Sequence, residues 1–297
     1  MILRVQPNRR TAFTMIEIAM ALAIIGFALV AIIGVLPQGV EVQKNNRRET
    51  IINQDASFYI DALRGGKQRL DDLTNYIATI TNHWVYFSTN GTVLNQGNDA
   101  YTNISTAALA LGDPRFKVTN PYYTPITDYR LTNGLRILGI MSTPRYQQFN
   151  DGSFVSNNVV VYARALSGAA NEKAPQTNDL LREIAFSYRF AVQIAPHTSE
   201  ATNWNNGSFD AQFNSMFGTN ATGAFEKELR KNLHANLCDV RLHFRWPLLP
   251  NGDIGKGEKK FRVLVANSLE KTTDPKFTAM TWYFFKPQAF IPFKDAP

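Results

Sequence analysis

Cysteine is nearly absent from this chain of 297 residues: Cys238 stands alone, so there is no internal disulfide and no four-cysteine metal site. Histidine is scarce as well. His83, His197, His234 and His243 show neither HExxH nor H-x-x-x-H spacing, which leaves little basis for metal chemistry. There is no G-x-S-x-G elbow, no P-loop, no G-x-G-x-x-G and no repeat of fixed period. These absences point away from an enzyme and imply no cofactor. Two further absences are local. The first twelve residues contain no acid, and between Phe13 and Leu36 the only ionisable residue is Glu17.

Apolar residues make up 44% of the chain and charged residues 19%, a balance that suits a folded core. The formal net charge is +7. Arg4, Arg9 and Arg10 contribute three of those charges, so +4 remains for everything after residue 12. A basic balance permits an acidic partner, such as anionic lipid or nucleic acid, without requiring one.

Phe13–Leu36 is 24 residues. As a helix it is roughly 36 Å long, enough to span an apolar bilayer core of about 30 Å. The arginines before it place the N-terminus on the cytoplasmic side, although Lys44, Arg47 and Arg48, interleaved with Glu41 and Glu49, weaken the bias. A cleaved secretory signal fits poorly. The apolar core is too long, and Val35-Leu36-Pro37-Gln38-Gly39 is a poor small-x-small site. A plain anchor leaves Glu17 unexplained, because a carboxylate at the centre of a spanning helix costs about 2.5–3.5 kcal/mol unless it neutralises, snorkels or meets a cation.

Ala12-Phe13-Thr14-Met15-Ile16-Glu17, after a basic leader and before an apolar helix, resembles the prepilin cleavage and methylation motif shared by type IV pilins and type II secretion pseudopilins. The resemblance covers about 25 residues. It implies cleavage by a prepilin peptidase between Ala12 and Phe13, N-methylation of Phe13, and a role for Glu17 in assembly, where its carboxylate meets the terminal amine of a neighbouring subunit. Ala12 departs from the usual glycine before the cut, which leaves the rate of processing open. The alternative reading of Glu17 is a carboxylate that snorkels to the headgroups. Gly26, Gly34 and Pro37 weaken a helix and mark where it would loosen in a filament, or they are simply common membrane-helix residues.

Beyond the span, Ile52, Ala56, Tyr59 and Leu63 form an amphipathic stripe that Gly65-Gly66 ends. Leu70, Leu73, Ile77 and Ile80 predict a second helix over 67–80, with Asp71 and Asp72 on a solvated face rather than as paired catalytic acids. Trp84–Phe87, Thr89-Asn90-Gly91 and Thr92–Leu94 read as a hairpin, followed by an irregular insertion over 95–134. Strands are expected at 135–142, 158–166, 184–194, 238–246, around Phe261–Val265, and within 277–286. The period-two alternation in 184–194 and 238–246 favours an antiparallel sheet with one wet face. Phe225, Leu229 and Leu233 predict a short helix after a loop over 196–222.

Cys238 falls on the apolar side of its strand and reads as core, while His243 falls on the other side, so the two form no catalytic pair. Arg241, His243 and Arg245 line the polar face, either as a solvated surface or as a contact for nucleic acid or an acidic subunit. Trp282–Phe285 puts aromatics on both faces of a strand, one set for the core and one for a loop or a neighbouring subunit. Asn251-Gly252-Asp253-Ile254-Gly255 reads as a turn. It lacks the spaced acids of a calcium loop, although some pseudopilins bind calcium.

The expected fold class is α+β: a long N-terminal helix, half transmembrane and half amphipathic, packed on an antiparallel sheet in the pilin manner. The divisions are a leader over 1–12, a transmembrane helix over 13–36, an exported helical half over 37–66, and a globular sheet domain with long insertions over 67–297. The resemblance implies a structural subunit, a minor pilin or pseudopilin, in the bacterial inner membrane. It would cross the membrane once, with its N-terminus cytoplasmic and its C-terminal domain exported. Its partners would be prepilin peptidase, other pilin or pseudopilin subunits and inner-membrane lipid. The alternatives are a DNA- or ligand-binding pilin and a membrane-tethered enzyme. Val240–Pro247 with Leu248-Leu249-Pro250-Asn251-Gly252 is also similar to the pilin-like Verru_Chthon cassette family, which has no assigned activity.

Overall fold

The computed structural model describes residues 13–67, 70–102, 131, 133–149, 151–167, 186–197, 214–215, 218–249, 252–273 and 281–287. Its backbone contacts divide the chain into two units, Met1–Thr50 and Ile51–Pro297.

The first unit is helical. Helix α1 runs from Met15 to Gly65 and continues unbroken through Pro37. Up to Thr50 its apolar side chains are exposed on every side, Ile18, Leu22, Ile25, Leu29, Ile32 and Leu36 among them. Its most apolar window has a mean hydropathy of 2.9, which makes it a candidate membrane span by length and composition. A helix apolar all round and not covered by protein suits lipid.

The second unit is α+β. The last turns of α1 bury Ile51, Ile52, Asp55, Ala56, Tyr59, Ala62 and Leu63, the expected stripe with one carboxylate inside it. Gly66, at φ +65, ends the helix in the left-handed region, and a Cβ there would meet the Phe285 carbonyl.

Seven strands make the main sheet: β1 (Ile77–Phe87), β2 (Val93–Thr102), β3 (Tyr146–Gln148), β4 (Phe154–Arg164), β5 (Ser187–Pro196), β6 (Cys238–Leu248) and β7 (Ile254–Val265). The order is β2-β1-β4-β5-β6-β7, and every pair is antiparallel. The short β3 pairs with the start of β4, alongside the residues that β5 does not reach. A second sheet joins β8 (Ser268–Thr273) to β9 (Thr281–Lys286). On the inner face Tyr188, Phe190, Val192 and Ile194 meet Val240, Leu242 and Phe244 in one buried cluster. Phe190 stacks on Phe244 with ring centroids 4.7 Å apart, and the Tyr59 ring lies 4.6 Å from Phe190. Helix and sheet therefore share one core in this unit.

Three expectations are corrected. The helix over 67–80 shrinks to a single turn, α2 (Leu73–Tyr76), and Ile77 begins β1. Ile77 and Ile80 are both buried, and a register shift between Ile77 and Thr79 puts two residues three apart on one face. That β-bulge reproduces helical spacing. The strand over 135–142 is instead helix α3 (Gly134–Met141), whose first turn is capped by Asn133 accepting from the Arg136 N–H at 2.8 Å. A short run apolar on all sides does not reveal its period, and tertiary packing decides it. Residues 95–102 of the expected insertion are instead part of β2, and 103–130 lie outside the described residues.

The hairpin at Asn90-Gly91 joins β1 and β2 as expected. Helix α4 (Ala221–Asn236) contains the stretch marked by Phe225, Leu229 and Leu233, but those side chains are exposed rather than core-facing. All four of Trp282–Phe285 are buried within the chain, so neither face of β9 is left for another subunit.

Candidate functional site

The residues singled out at the N-terminus are Ala12, Phe13 and Glu17. Ala12 lies outside the described residues. Phe13 is exposed, just ahead of the first turn of α1. Glu17 has an immediate structural partner. Its Oε2 accepts from the Thr14 backbone N–H and from Thr14 Oγ1, both at 2.8 Å, while the Glu17 N–H points back to Thr14 Oγ1 at 3.4 Å. Thr14 is thus the N-cap and Glu17 the third helical residue, the reciprocal arrangement of a capping box. Two helix-start donors without intrahelical partners find acceptors here. The sequence signature of this arrangement is Thr-x-x-Glu over 14–17, which sequence reading did not use. Oε2 is fully used, while Oε1 has no hydrogen bond among the described residues. Around Gly26, Gly34 and Gly39 there is open space.

Asp71 and Asp72 take different parts. Asp71 accepts from the Gly134 N–H at 3.1 Å and so joins Asn133 in covering the start of α3. Gly134 is obligatory there, since a Cβ would lie 2.0 Å from the Leu70 carbonyl oxygen. Asp72 is the residue before α2, and its side chain makes no cap.

Cys238 is buried on β6, and burial raises its thiol to about 12, which keeps it protonated. The turn at Gly252, with φ +82, connects β6 to β7: the Leu249 N–H donates to the Asp253 carbonyl at 2.9 Å. Among the described residues no three His, Cys, Asp or Glu side chains converge.

The polar face of β6 is organised around a buried acid. Asp239 Oδ2 accepts from Arg241 Nη2 at 2.6 Å, and Arg262 Nε from β7 lies 3.0 Å from both carboxylate oxygens. Burial alone would raise this carboxyl. The two guanidiniums outweigh it and hold Asp239 below its ordinary value. Further along, Glu258 Oε1 meets His243 Nε2 at 3.0 Å and Lys260 Nζ at 3.1 Å. Of the three residues expected on this face, Arg241 and His243 are thus engaged. Arg245 points the same way and has no such partner.

Sequence reading missed Asp55. It lies within the buried stripe of α1, one turn before Tyr59. Its carboxylate accepts from Leu166 N–H at 2.9 Å, Ser167 N–H at 3.1 Å, Ser167 Oγ at 2.7 Å and the Tyr188 hydroxyl at 2.7 Å. Burial raises its carboxyl above the ordinary value, although every one of these donors pulls the other way. With four donors and no exposure it is an anchor between helix and sheet rather than a reactive group. The available signal was a carboxylate spaced with Ile51, Ile52 and Tyr59 on one helical face.

Comparison with protein-family models, with characterised proteins and with solved structures finds no match.

Proposed function

We propose that this chain is a pilin-like structural subunit, anchored in the bacterial inner membrane and assembled into a type IV pilus or a type II secretion pseudopilus. One observation carries this reading. A helix that is apolar on every face up to Leu36 has a single ionisable residue within that stretch, and that residue sits in the first turn, four positions after Phe13. The same helix then buries its last turns in an antiparallel α+β unit, the layout that the resemblance at 12–17 leads one to expect.

In this reading the prepilin peptidase cuts between Ala12 and Phe13 on the cytoplasmic side. The new amine of Phe13 is methylated, and the apolar helix holds the subunit in the membrane until it packs among its neighbours. Glu17 then has two roles, one for each oxygen. Oε2 caps its own helix through Thr14, and Oε1 takes the terminal amine of the adjacent subunit. A carboxylate already held by Thr14 loses little further freedom on pairing. The globular unit, long for a major pilin, suits a minor subunit that initiates or caps the filament.

Intact mass of protein extracted from its native membrane tests the reading. The expected species begins at Phe13 and carries one extra methyl group. A chain still beginning at Met1, or one cut beyond Leu36, would overturn it.

A further inference from the structure

The outward faces of β5, β6 and β7 gather cations. Arg189, Arg241, Arg245, Lys256, Lys260 and Arg262 share this side of the sheet with only two carboxylates, Asp239 and Glu258. Six against two leaves +4, the whole excess that the chain carries after residue 12. Everything else beyond the leader balances to zero, so the basic character of the folded part is a property of one sheet face.

Folding accounts for only part of this arrangement. Arg241 and Arg262, directly opposite each other, are held by Asp239. Lys260 and His243 share Glu258. Arg189 and Arg245 are also directly opposite each other, and among the described residues neither has a carboxylate partner. Glu258 is in register with Arg245, yet it turns its carboxylate to its other neighbours. The Arg245 Nε is buried without an acceptor. Like charges facing each other across a ladder oppose pairing, and the fold supplies this pair with no neutralising carboxylate among the described residues.

We propose that the β5–β7 face is a docking surface for the phosphate backbone of nucleic acid, bound without regard to sequence. Four of the six cations are arginines, whose planar guanidiniums bind phosphate in a bidentate manner. Along a strand the cations stand two or four residues apart, Arg241 and Arg245 on β6 and Lys256, Lys260 and Arg262 on β7, spacings of about 6.8 or 13.6 Å, which suit a linear polymer of single charges. A flat sheet face puts no helix or ribbon into a groove, and its outward side chains on β5, Ala191, Gln193 and Ala195, include no aromatic on which a base would stack. A second copy of the same face is excluded as occupant by its own +4. The inference is independent of the filament reading and can fail without it.

The test is binding of the full-length protein, in neutral detergent micelles, to labelled duplex DNA over about 50–200 mM salt. The expected plot of log K against log salt has a slope of about −3.6, from 0.9 for each of four net cations, with equal affinity for shuffled sequences. Arg189→Gln/Arg245→Gln should weaken binding about tenfold and halve the slope. This double variant leaves Asp239 and its partners intact, and Arg189→Lys/Arg245→Lys should retain the slope. The proposal is overturned by binding that is absent or insensitive to salt, or by an Arg189→Gln/Arg245→Gln variant that binds like the parent. Displacement of the DNA by poly-glutamate at equal charge would reassign the face to an acidic protein, and displacement by phosphatidylserine vesicles at equal phosphate would reassign it to a membrane surface.

Discussion

Glu17 has a local task that is separable from any intermolecular one. Glutamine at the third helical position also serves a capping box. Glu17→Gln should therefore leave amide exchange over residues 15–18 unchanged in detergent, while removing the charge that the proposed docking uses. Thr14→Val should do the reverse at the start, raising exchange in the first turn and keeping the charge. The proposed assembly role predicts that Glu17→Gln inserts in the membrane and forms no filament. Normal filaments from Glu17→Gln would reduce the residue to its cap. Asp55 offers a second residue-scale prediction, through pH. Its folded carboxyl sits above the ordinary 3.8, so the folded state binds this proton more tightly than the unfolded chain does. That contribution is complete below the unfolded value and is lost as pH rises through the folded one. The stability of the parent relative to Asp55→Asn, from urea midpoints between about pH 7 and pH 4, should then grow on acidification. A difference that shrinks would show the opposite shift.

Elements in this protein are held by acids at their junctions. Asp71 meets the start of α3, Asp55 ties α1 to the loop after β4 and to β5, and Asp239 clamps β6 to β7. The last two have opposite protonation behaviour: Asp239 is held below its ordinary value, so its share of stability is lost as pH falls through the folded value. The β6–β7 clamp also predicts strong coupling. Arg241→Ala or Arg262→Ala alone leaves one guanidinium on the buried carboxylate. The double variant leaves none and should cost about 3–5 kcal/mol, more than the two single losses together. Denaturant unfolding of the four proteins checks this, and simple additivity would show that the two arginines do not share Asp239. At the same scale, local pattern misled where geometry mimicked another period. The bulge after Ile77 imitated a helix, and the apolar run at 134–141 imitated a strand, whereas the plain alternation of β5 and β6 matched the sheet apart from the buried Asp239.

For the molecule as a whole, one continuous helix belongs to two environments. Up to Thr50 its apolar surface is exposed to whatever surrounds it, and from Ile51 it is part of a protein core. Alkaline carbonate washing of membranes should therefore leave the parent in the pellet, and a variant lacking residues 13–36 should be released. Recovery of the parent in the wash would exclude an integral anchor. Charge is likewise a whole-molecule property. The leader and the β5–β7 face hold the excess, and the remaining residues balance.

What the sequence determined by itself was local: an apolar run long enough to cross a bilayer, the amphipathic stripe that follows it, the Asn-Gly hairpin and the two alternating strands. Each depends on neighbours within a few residues, so composition and period suffice to read it. Tertiary structure decided the rest. It set helix against strand at 77–80 and 134–141, made Asp55 an anchor through donors more than a hundred residues away, and paired Arg189 with Arg245 across β5 and β6. The physical reason is common to all three. A carboxylate or an arginine takes its role from the groups that surround it, and the register of distant strands selects those groups.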